Sequence, residues 1–285
     1  MTRFVHAAGR WRSAVCYALI IVAFALTATP AFAQTTTPIP PRVLYLPALV
    51  QGNGPEQLLC PTTSDATYAS VPVEGSPRGA PYPPVNDPDL NLVVRSYQVT
   101  DAFLGLVDIG GHTDANAPRL HTLFSPSRVP TLTAAYRVFD WDWACPTSLT
   151  GWGCRGDLLT TWDATLVAMQ TTRNEAIYLP DRAPDIFAGV YKAMVLYAEA
   201  GRITLKYARN DTPADGYVIH VEGFCVDPNL LDLYQTLDAA GRSSLPALRS
   251  GDRLGQARVA TVLVAVRDTG SFLDPRSSKD WWQGR

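Results

Sequence analysis

Beyond residue 90 the chain is a succession of short runs rich in β-branched and aromatic residues, and this texture limits the folds open to it. The runs cover residues 90–94, 134–138, 165–169, 176–179, 191–197, 203–207, 217–221 and 262–267, with Asp-Pro, Gly-Gly, Ala-Gly-Arg and Asn-Asp-Thr-Pro among the breaks between them. Many short strands at close spacing predict a mainly β fold, a compact β-sandwich or folded sheet of short antiparallel strands. Alternation along Ile203-Thr204-Leu205-Lys206-Tyr207 places Ile203, Leu205 and Tyr207 on one face. One segment breaks the pattern. Asp227 as cap, Pro228 at the first helical position and apolar residues at helical spacing predict one short helix over about 227–238, ended by Gly241. A second helical turn is expected near 117–124.

The first 33 residues read as an export signal. Arg3, Arg10 and Arg12 precede an apolar stretch at 17–26, and Ala31-Phe32-Ala33 supplies small residues for cleavage after Ala33. The stretch is short for a membrane span, and Cys16 lies ahead of it, where a lipid-accepting cysteine is not expected. Cleavage would remove three arginines and no acid, leaving 21 of the 24 basic residues against 26 acidic ones, a net charge of −5. A secreted, acidic chain with no span after cleavage offers no electrostatic case for nucleic acid or an anionic membrane as partner. Residues 34–88 are dense in Pro, Thr, Ser and Gly and read as an extended arm. Within the arm, the run from Val43 to Val50 reads as a short edge strand or an envelope-proximal spacer. Residues 89–285 are expected to form a single β-rich domain.

Four cysteines follow the signal, and an even count in an exported chain favours two disulfides. Cys145 and Cys154 flank one Gly/Thr-rich loop and are expected to bridge it, which leaves Cys60–Cys225. A zinc site is the rival reading, but no Cys-x-x-Cys spacing is present.

Two constellations bear on chemistry. His112, His121 and His220, with Asp114 or Asp142 as a fourth ligand or base, are the candidates for a zinc centre, although their spacing fixes no two of them on one helix or strand face. The structural alternative is a partly buried His220 and two loop histidines. In Phe139-Asp140-Trp141-Asp142-Trp143, alternation puts both aspartates on one face and both tryptophans on the other. Paired carboxylates beside indoles are what a sugar-cleaving site uses, one acid and one base or nucleophile with flat rings to stack on pyranose faces, and Trp141, Trp143 and Trp152 are the glycan-binding candidates. Turn capping, calcium or a structural Asp–Arg pair accounts for the aspartates equally well. The terminal Trp281-Trp282 pair reads as a clamp over the core, with Arg267, Asp268, Asp274 and Arg276 as a supporting ion cluster.

Four segments of the C-terminal half resemble a known family. Gly216-Tyr217-Val218-Ile219-His220 is similar to the G-(Y/N)-x-V-x-I-x-H strand of LytM/lysostaphin-type (M23) peptidases. Leu233-Tyr234-Gln235-Thr236-Leu237 resembles their L-Y-x-H-L segment. Leu248-Arg249-Ser250-Gly251-Asp252-Arg253-Leu254-Gly255 resembles their V-x-x-G-(D/Q)-x-I-G turn, and the stretch from Val266 to Asp274-Pro275 resembles their closing E-V-R-x-x-G-x-x-x-D-P. The order is kept, though the spacing is stretched. The resemblance implies a duplicated-hybrid-motif scaffold and a peptidoglycan-directed role. It also places the family's histidine ligands on Thr236, Thr261 and Leu263, and its H-x-x-x-D pair has no counterpart. Without imidazoles there, no zinc-bound water forms.

The expectation is therefore an exported, non-catalytic cell-envelope protein with no confident catalytic residue and no cofactor. Its partner would be a cell-wall polymer (peptidoglycan or another glycan) or a partner hydrolase. The alternatives are a zinc-dependent peptidoglycan endopeptidase using His112, His121, His220 and Asp142, and a carbohydrate-binding surface module.

Overall fold

The computed structural model describes residues 59–78, 83–145 and 152–285. The signal segment, the run from Val43 to Val50 and the loop at 146–151 lie outside the described residues. Strands dominate: β1 (Ala69–Pro72), β2 (Tyr97–Thr100), β3 (Leu132–Asp142), β4 (Cys154–Leu158), β5 (Leu166–Gln170), β6 (Ala176–Tyr178), β7 (Tyr191–Glu199), β8 (Arg202–Lys206), β9 (Tyr217–Glu222), β10 (Phe224–Val226), β11 (Ser244–Arg249), β12 (Arg253–Ala257), β13 (Thr261–Asp268) and β14 (Ser271–Leu273). Helices α1 (Leu92–Arg95), α2 (Pro228–Ala239) and α3 (Ser278–Trp281) complete the set.

The strands form a sheet of eleven, in the order β1-β11-β7-β8-β9-β13-β5-β3-β2 with β14 added on β13 and β4 on β3, and a sheet of three, β10-β12-β6. The apolar β13 lies in the interior of the larger sheet, between β9 and β5, for a simple reason. Val264 stands opposite Val221 of β9 and Val167 of β5, so a run of valines meets valines on both sides. One face of β13 joins Ile203, Leu205, Ile219 and Val221 in the main core, as alternation predicts for β8. The other face is also covered: Ala265 packs with Leu92, Val138, Leu166 and Phe272 in a second core. The smaller sheet closes tightly. A Cβ on Gly255 of β12 would lie 1.9 Å from the Cys225 carbonyl oxygen, so the β10–β12 approach admits no side chain there.

Helix α2 forms where the sequence places it, with the Asp227 side chain accepting from Asn229 N–H and Pro228 in the first turn. A 3₁₀ turn at Leu120–Leu123 satisfies the expectation near 117–124. Both disulfides, Cys60–Cys225 and Cys145–Cys154, are present.

Two expectations need correction. Residues 90–94 are not a strand. The Asp87 side chain accepts from Asp89 N–H, its carbonyl accepts from Leu90 and Asn91 N–H, and the chain winds into the single turn of α1. The Asn-Asp-Pro-Asp stretch supplies local acceptors that outcompete the β-propensity of Leu-Val-Val. The stretch up to residue 88 is also not an extended arm throughout. Within it, β1 (Ala69–Pro72) pairs with β11, and Val71 is buried. Proline and threonine content concealed a docked edge strand, a position that tolerates a residue with no N–H.

The C-terminal tryptophans do cover the core. Trp281 and Trp282 are buried, their indole N–H groups donating to Asp274 O and Pro275 O at 2.8 and 2.9 Å. The expected ion cluster is divided: Asp274 pairs with Arg276, whereas Arg267 pairs with Asp89.

Candidate functional site

The three candidate tryptophans gather on the β3–β4 hairpin. Trp141 stands opposite Arg155 in the ladder and Asp142 opposite Cys154, while the Cys145–Cys154 bond closes the far end. Trp141 Nε1–H donates to the Trp152 carbonyl at 2.9 Å. The rings of Trp141 and Trp143 meet edge to face with centroids 6.3 Å apart. Gly153 permits this closure: it has a φ of +88°, and a Cβ there would lie 2.6 Å from Trp141 Nε1 and 2.5 Å from Asp142 O. Trp143 remains 46% exposed, so a rigidly mounted indole meets solvent.

The aspartates occupy the other strand face and serve the turn. Asp140 accepts from Trp141 N–H at 2.8 Å and lies 3.5 Å from Arg95, and Asp142 accepts from Ala144 N–H at 2.9 Å. They are neighbours along one strand and do not oppose each other across a substrate.

The histidines occupy three separate environments. His112 is exposed, and its carbonyl accepts from Lys279 Nζ at 2.9 Å. Asp114 of the same loop accepts from Tyr217 OH at 2.7 Å. His121 is buried on the 3₁₀ turn with neither ring nitrogen hydrogen-bonded. Burial and the nearby Arg285 and Arg119 lower its pKa. His220 is buried on β9, its ring stacked on Phe272. Thr204 Oγ1 spends its proton on the Leu90 carbonyl, so His220 Nδ1, 3.0 Å away, must be the donor to that oxygen. Nε2 is then a bare lone pair with no partner. Burial, with Arg267 and Arg95 adding to it, pushes His220 down to about 3. Among the described residues no three His, Cys, Asp or Glu side chains are grouped to hold a metal ion. His112, His121, His220 and Asp142 therefore do not fit a zinc centre.

The positions aligned with the family's ligands are also dispersed. Thr236 is exposed on α2, which packs on β11 and β7, while Thr261 and Leu263 lie on β13, four strands along the sheet from β11. Leu263 packs against the second core.

No protein-family model, curated protein or solved structure matches the chain.

A polar layer lies inside the fold that strand patterning did not disclose. Thr204 and Lys206 on β8, His220 and Glu222 on β9, and Arg267 on β13 share one sheet face and are all buried. The segment around Asp89 and Tyr97 covers them. Asp89 Oδ1 sits 3.0 Å from Arg267, and Tyr97 OH donates to Glu222 at 3.4 Å. Burial pushes Glu222 up to about 7, opposed by Arg202 at 3.4 Å. Charged residues alternating with Ile203 and Leu205 look like a solvent face, and only the covering segment, more than 100 residues away in sequence, makes them interior.

Lys206 is the costly member. Its Nζ is fully buried with no hydrogen-bond partner, and burial lowers its pKa to about 8. Lys206→Met keeps the length and removes the charge, and is expected to stabilise the protein by about 1–3 kcal/mol at pH 7. Because the folded pKa lies below the unfolded one, the wild type regains stability as pH rises from about 8 towards 10.5. The advantage of Lys206→Met in urea unfolding should shrink over that window. An advantage that is absent at pH 7, or that grows with pH, would contradict the assignment.

A cavity of about 400 Å³ lies where residues 61–65 meet the start of α2, lined by Ser64, Asp65, Asp227 and Arg253 among others. Its charged groups are paired with one another. Ser64 Oγ donates to Asp227 at 2.6 Å, and Arg253 reaches Ser64, Asp65 and Asp227 at 3.1 Å each. This is a clamp that fastens the N-terminal stretch to the domain.

Proposed function

We propose that the protein is an exported, non-catalytic cell-envelope domain that binds glycan on the β3–β4 hairpin. The observation that carries this reading is Trp143: an exposed indole braced by Trp141 on a hairpin closed by a disulfide. A flat apolar ring held in place stacks on a pyranose face at little entropic cost, because the side chain is ordered before the ligand arrives. Export is supported by the two disulfides, which persist in oxidising compartments, and by the signal-like first 33 residues. A wall polymer as the partner accords with the LytM-like order of the C-terminal segments, whose metal-ligand positions are Thr236, Thr261 and Leu263 here.

The experiment is a fluorescence and calorimetric titration of the mature protein against wall polysaccharides and peptidoglycan fragments. Binding should quench or shift indole emission, and Trp143→Ala should weaken affinity at least tenfold, about 1.4 kcal/mol, without lowering the melting temperature. Unchanged affinity in Trp143→Ala would remove the hairpin from the binding site.

A further inference from the structure

We infer that the glycan taken by this hairpin is a polyuronate, a polysaccharide bearing carboxylates on its sugar rings, with Arg155 as the group that selects it. The inference rests on the glycan reading above and adds the charge class of the ligand. Arg155 is the cross-strand partner of Trp141, so it belongs to the same face as the paired indoles. Its guanidinium lies over the Phe139 ring, 4.8 Å from the centroid. Stacking there holds the group flat while its N–H edge stays in water, the orientation in which arginine receives a carboxylate through two parallel hydrogen bonds.

Among the described residues no carboxylate is paired with this cation. Arg155 is exposed and forms no salt bridge among the described residues. Across the ladder, Asp140 and Asp142 project from the opposite strand face and accept the N–H groups of Trp141 and Ala144, and Asp157, two residues along β4, forms no ion pair with Arg155. The face thus presents Phe139, Arg155, Trp141 and Trp143 in succession: rings for sugar faces with one guanidinium between them. A neutral glycan would use the rings and leave the cation idle. An acidic peptide would use the cation and leave the rings idle. A uronic acid polymer uses both.

The test titrates the full mature protein with polygalacturonate, with the same polymer after its carboxyls are reduced to alcohols, and with polyglutamate. Polygalacturonate should bind at least tenfold more tightly than the reduced polymer in dilute buffer, and raised salt should narrow the gap. Arg155→Gln should erase the preference while affinity for the reduced polymer and the melting temperature stay unchanged. Arg155→Lys should recover only part of it, because an ammonium neither stacks on Phe139 nor pairs in two bonds. Equal affinities for the two polymers, an unaltered preference in Arg155→Gln, or polyglutamate binding as tightly as polygalacturonate would overturn the inference while leaving the glycan reading in place. Binding of neither polysaccharide would overturn the inference, and the glycan reading falls with it only when the wall polysaccharides and peptidoglycan fragments also fail to bind.

Discussion

Asp211→Ala is expected to destabilise the protein by about 3–5 kcal/mol, because it strands a buried guanidinium. Asp211 and Arg242 are both buried and meet in two parallel bonds, Nε to Oδ2 at 2.8 Å and the second N–H to Oδ1 at 2.7 Å. Arg242 also donates to the Leu196 carbonyl at 2.9 Å and to Tyr234 OH at 3.3 Å, and it pairs with Asp238. Asp211 in turn accepts from Arg78 N–H at 2.8 Å. One ion pair therefore joins the α2–β11 connection, strand β7 and the N-terminal stretch. Removing the carboxylate leaves a buried cation whose remaining counter-charge is the partly exposed Asp238. The variant Asp211→Ala with Arg242→Met removes both charges and should recover most of the loss, since burying apolar volume costs far less than burying a cation deprived of its buried partner. Urea unfolding of the wild type and both variants measures this. A loss under 1 kcal/mol in Asp211→Ala, or a double variant no better than the single, would show that the pair is not the joint described here.

That ion pair marks where the sequence stops being legible. Local signals were readable: the strand texture of residues 217–221 and 262–267, the Asp-Pro start of α2, and the pairing of Cys145 with Cys154 across a short loop all appear in the fold. Each depends on neighbours within about one element. Asp211 and Arg242 are 31 residues apart and on no common periodicity, so nothing in their spacing announces a contact. Lys206 misleads for a related reason. Alternation correctly puts Ile203 and Leu205 in the main core and consigns Thr204 and Lys206 to the other face, but it cannot say that Leu90 and Asp89 cover that face. At the candidate site, alternation separated the indoles from the aspartates. The part played by Arg155 needed the ladder register, because Trp141 and Arg155 become neighbours only when β4 folds back with one irregular step.

Removing the Cys60–Cys225 bond should cost about 5 kcal/mol, roughly twice the effect of removing Cys145–Cys154. The argument is the entropy of the unfolded chain. The first bond joins residues 165 apart in sequence and the second residues 9 apart, so the unfolded ensemble released by cutting the longer loop is far larger. The native state gives the longer loop a firm anchor. Cys225 lies buried on β10, and from Cys60 the chain passes through the Ser64–Asp227–Arg253 clamp into β1 on the sheet edge. Those contacts survive when the bond is cut, so Cys60→Ala with Cys225→Ala should remain folded at 25 °C while its urea midpoint falls steeply. Cys145→Ala with Cys154→Ala should lose about 2.5 kcal/mol and act locally, loosening the hairpin that carries Trp143. Denaturant unfolding of the two double variants side by side separates the cases. Equal losses, or a larger loss from the short loop, would mean that the long bond adds little beyond what the clamp and the β1–β11 pairing already secure.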